Sequence, residues 1–510
     1  MQRRSASFVT EEASPGADTM TDVAHRRVAG SRFVLDPSSR VWSSTAVIAG
    51  GSPWRLSRLR GDAIELVRLL AANRETGVEL TGGELVVAHA LVDRGLVHPR
   101  PDPRSGPHEV TVIVPAYGRP DSLRRTLAAL TGLDVLVVDD GSPAPLVDVA
   151  REAGARYLRL EVNAGPAAAR NAGLAATSTP LVALVDSDCV PERSWLDRLV
   201  PLFDDARVAV VAPRVIAVAG DQGLLARYER ASSALDMGSR QALVRAGARL
   251  GFVPSVTLLV RRDAVIAEPF DQTLRLGEDV DLVWRIADTG AHVRFEPSVV
   301  VEHELRGSWR AWAVRRYEYG TSAVLLERRH PGRLAPLRVS PWNAAAVCLV
   351  AAGEPVLAVG VAALAAGLLA RRLAGAGLER GVAERVVGAG LIADGAAIGH
   401  ALRREYWPLG AAALACAPRS RAARVATVLM VAPLLAEWAR EKPALDPLRY
   451  MGVRLVADAA YGTGVLRACL GERDVAALRP RLRGKFTAAS RGVMVRRTDA
   501  ADRRTRLGVG

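Results

Sequence analysis

Two aspartates separated by a single residue, Asp186 and Asp188, carry the clearest chemical signal in this chain. They follow the apolar run Leu-Val-Ala-Leu-Val, which is typical of a buried strand. Because side chains alternate along an extended segment, the spacing predicts that both carboxylates point to one side. Mg2+ and Mn2+ bind such oxygens, usually together with substrate phosphates. The pair indicates a metal site for a diphosphate, although this tripeptide also suits solvated loops and helix caps.

Two earlier strand ends carry residues that suit a nucleotide. The first predicted strand ends in Val-Pro-Ala-Tyr-Gly, where the backbone of Pro115 and Ala116 can frame a base. The second ends in Val-Asp-Asp-Gly-Ser, where Asp140 can accept the N3 proton of uracil. Each is an ordinary turn sequence by itself. Their occurrence at consecutive strands predicts a nucleotide-sugar site shared with Asp186.

A helix rich in small residues follows the third predicted strand, in the sequence Gly-Pro-Ala-Ala-Ala-Arg-Asn-Ala-Gly. Small residues allow close packing, and phosphates bind near helix starts. We predict that Arg170 and Asn171 contact the nucleotide sugar there. The alternative is an arginine on a solvated helix face.

Another predicted helix opens with the acidic pair Glu278-Asp279. Acids at this position stabilise a helix through its macrodipole, which is one reading of the pair. The other is catalytic: Asp279 would act as general base for an acceptor hydroxyl, and Glu278 would orient the site. The helix terminus is expected to keep Asp279 ionised, as such a base requires.

His303 lies between two acids at a predicted strand end. We predict that it is a further metal ligand beside the aspartate pair. The helix that follows carries Trp309, Arg315 and Arg316. These side chains either contact the acceptor or a phosphate, or only pack the domain against the C-terminal region.

The elements that position these residues alternate between strand and helix, which predicts an α/β domain with a mostly parallel sheet and flanking helices. Ligands of such sheets bind beyond the carboxyl ends of the strands. The predicted division of the chain is a disordered N-terminus at 1–30, a small winged-helix-like α+β unit at 31–101, the α/β domain at 108–331, an apolar helical region at 341–480 and a basic tail at 481–510.

The region 341–480 leaves three arrangements open: a buried bundle, interfacial helices and a transmembrane hairpin. Its longest apolar run, 355–370, is shorter than the roughly 20 residues that span a bilayer. High apolar content and flanking arginines favour membrane association with the catalytic domain in the cytoplasm. No secretory signal is expected within 1–30, so the cytoplasm is the expected location, and Met20 is an alternative start.

The composition of the chain bears on the classes of molecule that it could bind. Lys and Arg number 68 against 54 Asp and Glu, a formal charge of +14 that suits a phosphate-bearing ligand or an anionic membrane. Nucleic acid is disfavoured because no zinc-finger spacing or RNA-recognition signature occurs. The dispersed cysteines, each in an apolar run, are predicted to be reduced and buried: Cys189, Cys348, Cys416 and Cys469.

Together and in this order, the motifs of residues 110–331 resemble those of the family 2 glycosyltransferases with the GT-A (nucleotide-diphospho-sugar transferase) fold. The resemblance places Asp140 on the nucleotide and the carboxylates of Asp186 and Asp188 on Mg2+ or Mn2+. It also makes Glu278 and Asp279 the catalytic pair. The chain departs from the processive polysaccharide synthases, whose Q-x-x-R-W signature is absent.

Segments 50–59, 316–322 and 458–464 further resemble the mycofactocin-system glycosyltransferases of actinobacteria. That resemblance implies a UDP-glucose donor, a small peptide-derived redox cofactor precursor (premycofactocin) as acceptor, and a short β-linked oligoglucose product. The function predicted is an inverting, metal-dependent hexosyltransferase. Alternatives are a membrane-associated family 2 enzyme with a lipid or cell-wall glycan acceptor and a non-catalytic peptide-binding scaffold. A nucleotidyltransferase would leave Glu278 and Asp279 unexplained.

Overall fold

The computed structural model describes residues 31–42, 46–218, 222–267, 269–305, 308–375 and 380–483. The N-terminus predicted to be disordered at 1–30, with Met20, lies outside the described residues, as does the predicted basic tail beyond 483. The described chain forms an N-terminal α+β unit, a central sheet covered by helices and a helical C-terminal region.

The N-terminal unit combines two three-stranded antiparallel sheets with two helices. One sheet has the order β5-β1-β6 and the other β2-β3-β4. Both helices bury apolar residues against Phe33 and Leu35. The winged-helix-like character of the unit stays a prediction. Its elements are β1 (Arg32–Leu35), β2 (Arg40–Trp42), β3 (Val47–Gly50), β4 (Arg55–Arg58), α1 (Asp62–Ala72), β5 (Val78–Glu79), α2 (Gly83–Val92) and β6 (Val97–Arg100).

The central domain follows the predicted alternation of strands and helices. Its elements are β7 (Val110–Ala116), α3 (Pro120–Ala129), β8 (Asp134–Asp139), α4 (Val147–Glu152), β9 (Arg156–Arg159), α5 (Pro166–Ala175), β10 (Leu181–Val185), β11 (Cys189–Pro191), α6 (Trp195–Leu199), β12 (Val208–Val218), α7 (Leu224–Ser232), β13 (Ala242–Leu243), β14 (Thr257–Arg261), α8 (Arg262–Ile266), α9 (Glu278–Asp288) and β15 (His292–Glu304).

One mixed sheet organises this domain, in the order β11-β15-β12-β14-β10-β7-β8-β9, with β13 paired to β15. The four strands from β10 to β9 are parallel to one another. β14 runs antiparallel between β10 and β12. Every residue of β7 and β10 is buried, as the nearly continuous apolar sequence of β7 and the unbroken one of β10 predict for strands covered on both faces. The predicted α/β architecture is confirmed.

The C-terminal region is helical, as predicted. Among the described residues, two helices are long and apolar enough to cross a membrane, α13 and α16, with mean hydropathies of 1.8 and 1.4. Only 28% and 17% of those stretches are buried. The elements are α10 (Trp309–Thr321), α11 (Ala323–Arg329), β16 (Arg338–Val339), α12 (Pro341–Ala352), α13 (Pro355–Ala374), α14 (Arg380–Arg403), α15 (Trp407–Cys416), α16 (Arg421–Glu441), α17 (Pro447–Gly471) and β17 (Arg481–Leu482).

All four cysteines are free thiols. Cys189 and Cys469 are buried, as predicted, but Cys348 and Cys416 are exposed. The prediction fails for the latter two because α12 and α15 turn apolar faces outward, so an apolar neighbourhood in sequence does not ensure burial.

Two glycines bring helices α10 and α17 into close contact. A Cβ atom at Gly320 would lie 2.1 Å from the carbonyl oxygen of Tyr461, and one at Gly464 would lie 2.0 Å from that of Tyr317. Only a residue without a side chain fits at such a crossing. The crossing joins segments 316–322 and 458–464, so these two distinctive sequences form one packing contact between α10 and α17.

Replacing Gly464 by alanine is therefore expected to destabilise the helix crossing. Overpacking typically costs about 1–3 kcal/mol, more than the roughly 0.5–1 kcal/mol that alanine gains over glycine within a helix. Gly452 is the matched control because it lies on the same helix, where an added methyl group would have no neighbour within 4 Å. Thermal unfolding should show a lower melting temperature for Gly464→Ala and an unchanged or higher one for Gly452→Ala. Equal behaviour of the two variants would contradict the tight crossing.

Candidate active site

The carboxyl ends of β10, β7 and β8 lie side by side and carry most of the predicted site residues. Asp140 follows β8, and its backbone N–H donates to the carbonyl oxygen of Ala116 at the end of β7 (2.8 Å). Asp186 follows β10, and its backbone N–H donates to the carbonyl oxygen of Val256 (2.9 Å). The topology thus gathers residues far apart in sequence at one edge, as expected for an open α/β sheet.

The extended strand from which the direction of Asp186 and Asp188 was predicted ends before them, and their pointing to one side stays a prediction. β10 ends at Val185, and the next residues form a turn in which the N–H of Cys189 donates to the carbonyl oxygen of Asp186 (3.0 Å). The two carboxylates therefore have different partners. Asp186 pairs with Arg170, whereas Asp188 faces an arginine from the turn after β7.

Arg170 is buried and joins two acidic segments. Its Nη2 donates to Oδ1 of Asp186 (2.8 Å), and its Nη1 donates to Oε1 of Glu278 (3.1 Å). The small residues of α5 make this possible, since a Cβ at Gly173 would lie 2.5 Å from the side chain of Ile113 on β7. The helix lies close on the sheet and directs Arg170 between Asp186 and Glu278.

Glu278 and Asp279 begin α9, directly after Gly277 in a left-handed conformation (φ 84°). The carboxylate of Asp279 accepts hydrogen bonds from the N–H groups of Val280 (2.8 Å) and Ser255 (3.2 Å). Glu278 is buried against Arg170. The predicted catalytic pair and the aspartate turn are thus linked through one guanidinium.

Burial changes the pKa values of Glu278 and Asp279. It raises the pKa of Glu278 to about 7, with the charge of Asp279 adding to the rise and Arg170 opposing it. Burial also raises the pKa of Asp279, against the hydrogen bonds from Val280 and Ser255. The expectation that the helix terminus keeps Asp279 ionised stays a prediction, since the N–H of Val280 favours the charged carboxylate and desolvation opposes it.

The Asp139-Asp140 pair divides into two environments. Asp139 accepts from the backbone N–H groups of Ser142 (2.8 Å) and Leu146 (3.1 Å) and from the hydroxyl of Tyr157 (2.6 Å), so it fixes the turn. Asp140 accepts from the N–H groups of the loop before α5, at residues 164 (2.8 Å) and 165 (2.9 Å). Burial raises the pKa of Asp140. Its contact with a base stays a prediction.

Asn171 and the strand end at 115–116 border the same edge. The side-chain amide of Asn171 donates to the carbonyl oxygen of Phe270 (2.7 Å), and its oxygen accepts from the N–H of Phe270 (3.0 Å). Asn171 also lines an open cleft of about 490 Å³, beside Ala164. Pro115 and Ala116 are buried in β7. The predicted contacts of Asn171, Pro115 and Ala116 with a nucleotide sugar stay predictions, and Asn171 additionally anchors the chain at Phe270.

The residues predicted to bind metal form an open rather than an enclosed set. His303 on β15 has its Nε2 3.5 Å from Oδ1 of Asp188. Across the described part of the chain, no group of three or more His, Cys, Asp or Glu side chains is arranged to hold an ion. One or two carboxylates completed by phosphate oxygens are the usual arrangement for Mg2+. The metal-binding roles of Asp186, Asp188 and His303 stay predictions.

The helix α10 side chains have protein partners. Nη1 of Arg315 lies 3.3 Å from Oε2 of Glu318. Arg316 pairs with Glu229 and lies over the ring of Trp312, 5.5 Å from its centroid. Arg315 therefore pairs within its own helix and Arg316 with α7, and both the packing role and the contact with acceptor or phosphate stay predictions. Trp309 is exposed, with its ring edge-to-face on the same tryptophan.

Three residues at the site were not singled out from the sequence. Tyr117 follows β7 with a half-exposed ring, and Arg119 in the same turn donates to Asp188 (2.8 Å). Both occupy a strand end, the position that identified Asp140, so that criterion could have found them. Ser255 acts through its backbone N–H, which no side-chain pattern reveals.

This arrangement defines a nucleotide-diphospho-sugar transferase of the GT-A fold. The model of the family described as glycosyl transferase family 2 matches residues 111–267. A pre-mycofactocin glycosyltransferase of Mycobacterium tuberculosis (strain ATCC 25618 / H37Rv) is 36% identical over 470 residues, covering 89% of this chain and 98% of that relative. The chain therefore belongs to glycosyl transferase family 2 and, within it, to the family of the pre-mycofactocin glycosyltransferases. The predicted enzyme class is confirmed.

Two more distant similarities cover smaller shares of the chain. Glycosyltransferase AglE of Haloferax volcanii is 30% identical over 210 residues, covering 39% of this chain and 67% of that protein. Among solved structures, mannosyltransferase PcManGT from Pyrobaculum calidifontis, in complex with GDP-Man and Mn2+, is 18% identical with a TM-score of 0.34. It covers 57% of this chain and 87% of its own.

The pH dependence of the transfer rate should reflect the protonation of Glu278 and Asp279. A general base must be deprotonated, and the pKa of Glu278 lies at about 7 through burial and the neighbouring Asp279 charge. The rate is therefore expected to fall as pH drops through about 7, where the pair takes up a proton. In Glu278→Gln this proton site is gone, so the acid limb should move to lower pH, with a reduced maximal rate. A limb that stays in place would contradict the coupling.

Proposed function

We propose that the protein transfers glucose from UDP-glucose to a peptide-derived acceptor with inversion at the anomeric carbon. The observation that carries this proposal is the single buried guanidinium of Arg170 between Asp186 and Glu278. Arg170 thereby holds Glu278 and Asp279, which would activate the acceptor, beside the turn at Asp186, which would bind the diphosphate. The coverage of 98% of the M. tuberculosis relative supports an activity of the whole chain rather than of one domain.

The donor half is assigned to the strand ends. Asp140, Pro115 and Ala116 would receive the uracil ring, and the exposed ring of Tyr117 borders the same edge. Asp186 and Asp188, with His303, would hold Mg2+ or Mn2+ against the diphosphate. When bound, the metal neutralises charge on the departing nucleotide. Arg170 keeps Asp186 in place by a 2.8 Å hydrogen bond.

The acceptor half is assigned to α9. Asp279 would take the proton of the attacking hydroxyl, and the attack from the face opposite the diphosphate inverts the anomeric carbon. The two N–H groups at Asp279 fix the orientation of its carboxylate. A raised pKa suits this role, since a base that is too acidic is a poor proton acceptor. Glu278 would position the pair through Arg170.

The acceptor is proposed from the name of the M. tuberculosis relative, a pre-mycofactocin glycosyltransferase. It would be a small peptide-derived redox cofactor precursor, extended by a short β-linked glucose chain. The N-terminal unit, which docks on the central domain through a salt bridge between Asp93 and Arg207 (2.7 Å), is available to contribute to its binding.

Transfer is tested by incubating the purified protein with a panel of UDP-sugars and candidate acceptors, with and without EDTA. Product masses should increase by whole hexose units with UDP-glucose, and EDTA should abolish the increase. Asp279→Asn is expected to lower the rate about 10²- to 10⁴-fold while UDP binding persists. Asp288→Asn, the same change at the exposed end of α9, is the control. Full activity of Asp279→Asn would overturn the base, and activity in EDTA would overturn the metal.

A second candidate acceptor is a lipid or cell-wall glycan at the inner face of the cell membrane. The observation that favours it is the outward-facing apolar surface of α13, where Val356 and Val359 are 80% and 69% exposed. The helix ends with Arg371 and Arg372 in its last turn, which suits anionic lipid headgroups. We propose that this surface associates with a membrane.

Membrane association is tested by flotation with vesicles that contain anionic lipid. The wild-type protein should float, and the double variant Val356→Glu with Val359→Glu should not, because two buried charges at an apolar interface are costly. Val86→Glu introduces the same change at an exposed valine of the N-terminal unit and should leave flotation intact. A wild-type protein that remains at the bottom of the gradient would contradict the proposal.

A further inference from the structure

Asp188 is buried and has a cationic partner from another part of the chain. Nη1 of Arg119 donates to its Oδ2 (2.8 Å), while Nε2 of His303 lies 3.5 Å from its Oδ1. The side chain of Asp188 is 6% exposed and that of Arg119 is 40% exposed. A carboxylate so far removed from water needs a counter-charge, because desolvation without a partner is costly. Arg119 supplies that charge from the solvent side.

The turn after β7 holds Arg119 in this position. The backbone of Arg119 is left-handed (φ 55°), an unusual conformation for a residue other than glycine. The preceding residue, Gly118, donates its N–H to the hydroxyl of Ser142 (2.8 Å), which ties the turn to the end of β8. Such local strain at a strand end is typical of sites where binding depends on a fixed side-chain position.

Glu304 gives Arg119 a second anchor beside the first. Nη2 of Arg119 donates to Oε2 of Glu304 (3.2 Å), which also accepts from the hydroxyl of Ser122 (2.8 Å). Arg125 reaches the same carboxylate and donates to the hydroxyl of Ser122 (3.3 Å). Arg119 can therefore leave Asp188 and keep a neighbouring anion as a partner.

We propose that Arg119 is an exchangeable counter-ion, which occupies the metal-binding oxygen of Asp188 until a metal–nucleotide complex arrives and then contacts the diphosphate. This inference rests on the proposed metal-dependent transfer at the same site. A cation that approaches Asp188 alone has to displace Arg119 without compensation. When a diphosphate arrives with it, the released guanidinium gains two phosphate groups as acceptors. Arg119 thereby couples metal binding to donor binding.

The coupling makes opposite predictions for two ligands. In Arg119→Met, Mn2+ alone should bind roughly three- to tenfold more tightly, as expected from the loss of a competing, partly exposed ion pair. UDP in the presence of saturating Mn2+ should bind more weakly by a similar factor, because a phosphate contact is missing. Mn2+ binding is measured by the loss of the free-ion electron paramagnetic resonance signal, and UDP binding by calorimetry.

Two further variants separate this role from a structural one. Arg125→Met removes an arginine that pairs with Glu304 and Ser122, so both affinities should stay within about twofold of the wild type. Arg119→Lys keeps the positive charge and should restore most of the wild-type pattern. A loss of folding in Arg119→Met would weaken both affinities together and be visible in its melting temperature, and Arg119→Gln, which also removes the charge, then carries the same comparison.

The outcomes distinguish this inference from the function on which it rests. If the wild type binds neither Mn2+ nor UDP, the proposed metal-dependent transfer fails. If the wild type binds both and Arg119→Met changes neither affinity, or changes both in one direction while the protein stays folded, the exchange is overturned. Opposite changes in the two affinities support it.

Discussion

A buried guanidinium is the interaction on which the site depends. Arg170 faces carboxylates from two segments that are far apart in the sequence, the turn after β10 and the start of α9. In a low-dielectric setting neither carboxylate is stable without a positive partner, and removal of such a partner is far more damaging than loss of a surface ion pair. The position of α5 on the sheet therefore fixes how the turn after β10 lies relative to the start of α9.

Sequence patterns predicted the elements and the order of the motifs well, because both depend on local information. The apolar runs of β7 and β10 and the small residues of α5 each specify a strand or helix with little ambiguity. The antiparallel insertion of β14 was not predicted, since alternation of strands and helices does not encode strand direction. The turn at Asp186 was not predicted either. In this turn the N–H of Cys189 donates to the carbonyl oxygen of Asp186, so the extended strand does not continue.

Side-chain partners were the least predictable feature, and the reason is physical. Asp139 and Asp140 are adjacent and chemically identical, yet one fixes the turn and the other faces the next loop. Arg119 and Asp188 are 69 positions apart and meet only through the parallel pairing of β7 with β10. The raised pKa of Glu278 depends on burial, which a helix-terminus argument leaves out. Such properties belong to the folded arrangement rather than to any one segment.

The C-terminal region is apolar in composition but contains buried charge that joins its helices. Asp394 on α14 is fully buried and accepts from the N–H of Ser340 and the amide of Asn343 (both 2.8 Å). Arg403, also on α14, lies 3.4 Å from Asp458 on α17. Such pairs set helix register, because shifting either helix would leave a buried charge alone.

The N-terminal unit contacts the central domain at β13 through a side-chain hydrogen bond. The hydroxyl of Ser52 donates to the carbonyl oxygen of Leu243 (2.5 Å), in the strand that precedes the segment leading to Ser255. Ser255 in turn donates its N–H to Asp279. A Cβ at Gly95 would lie 2.8 Å from Ser52, so this contact is closely packed. The N-terminal unit is therefore closely packed against β13 of the central domain.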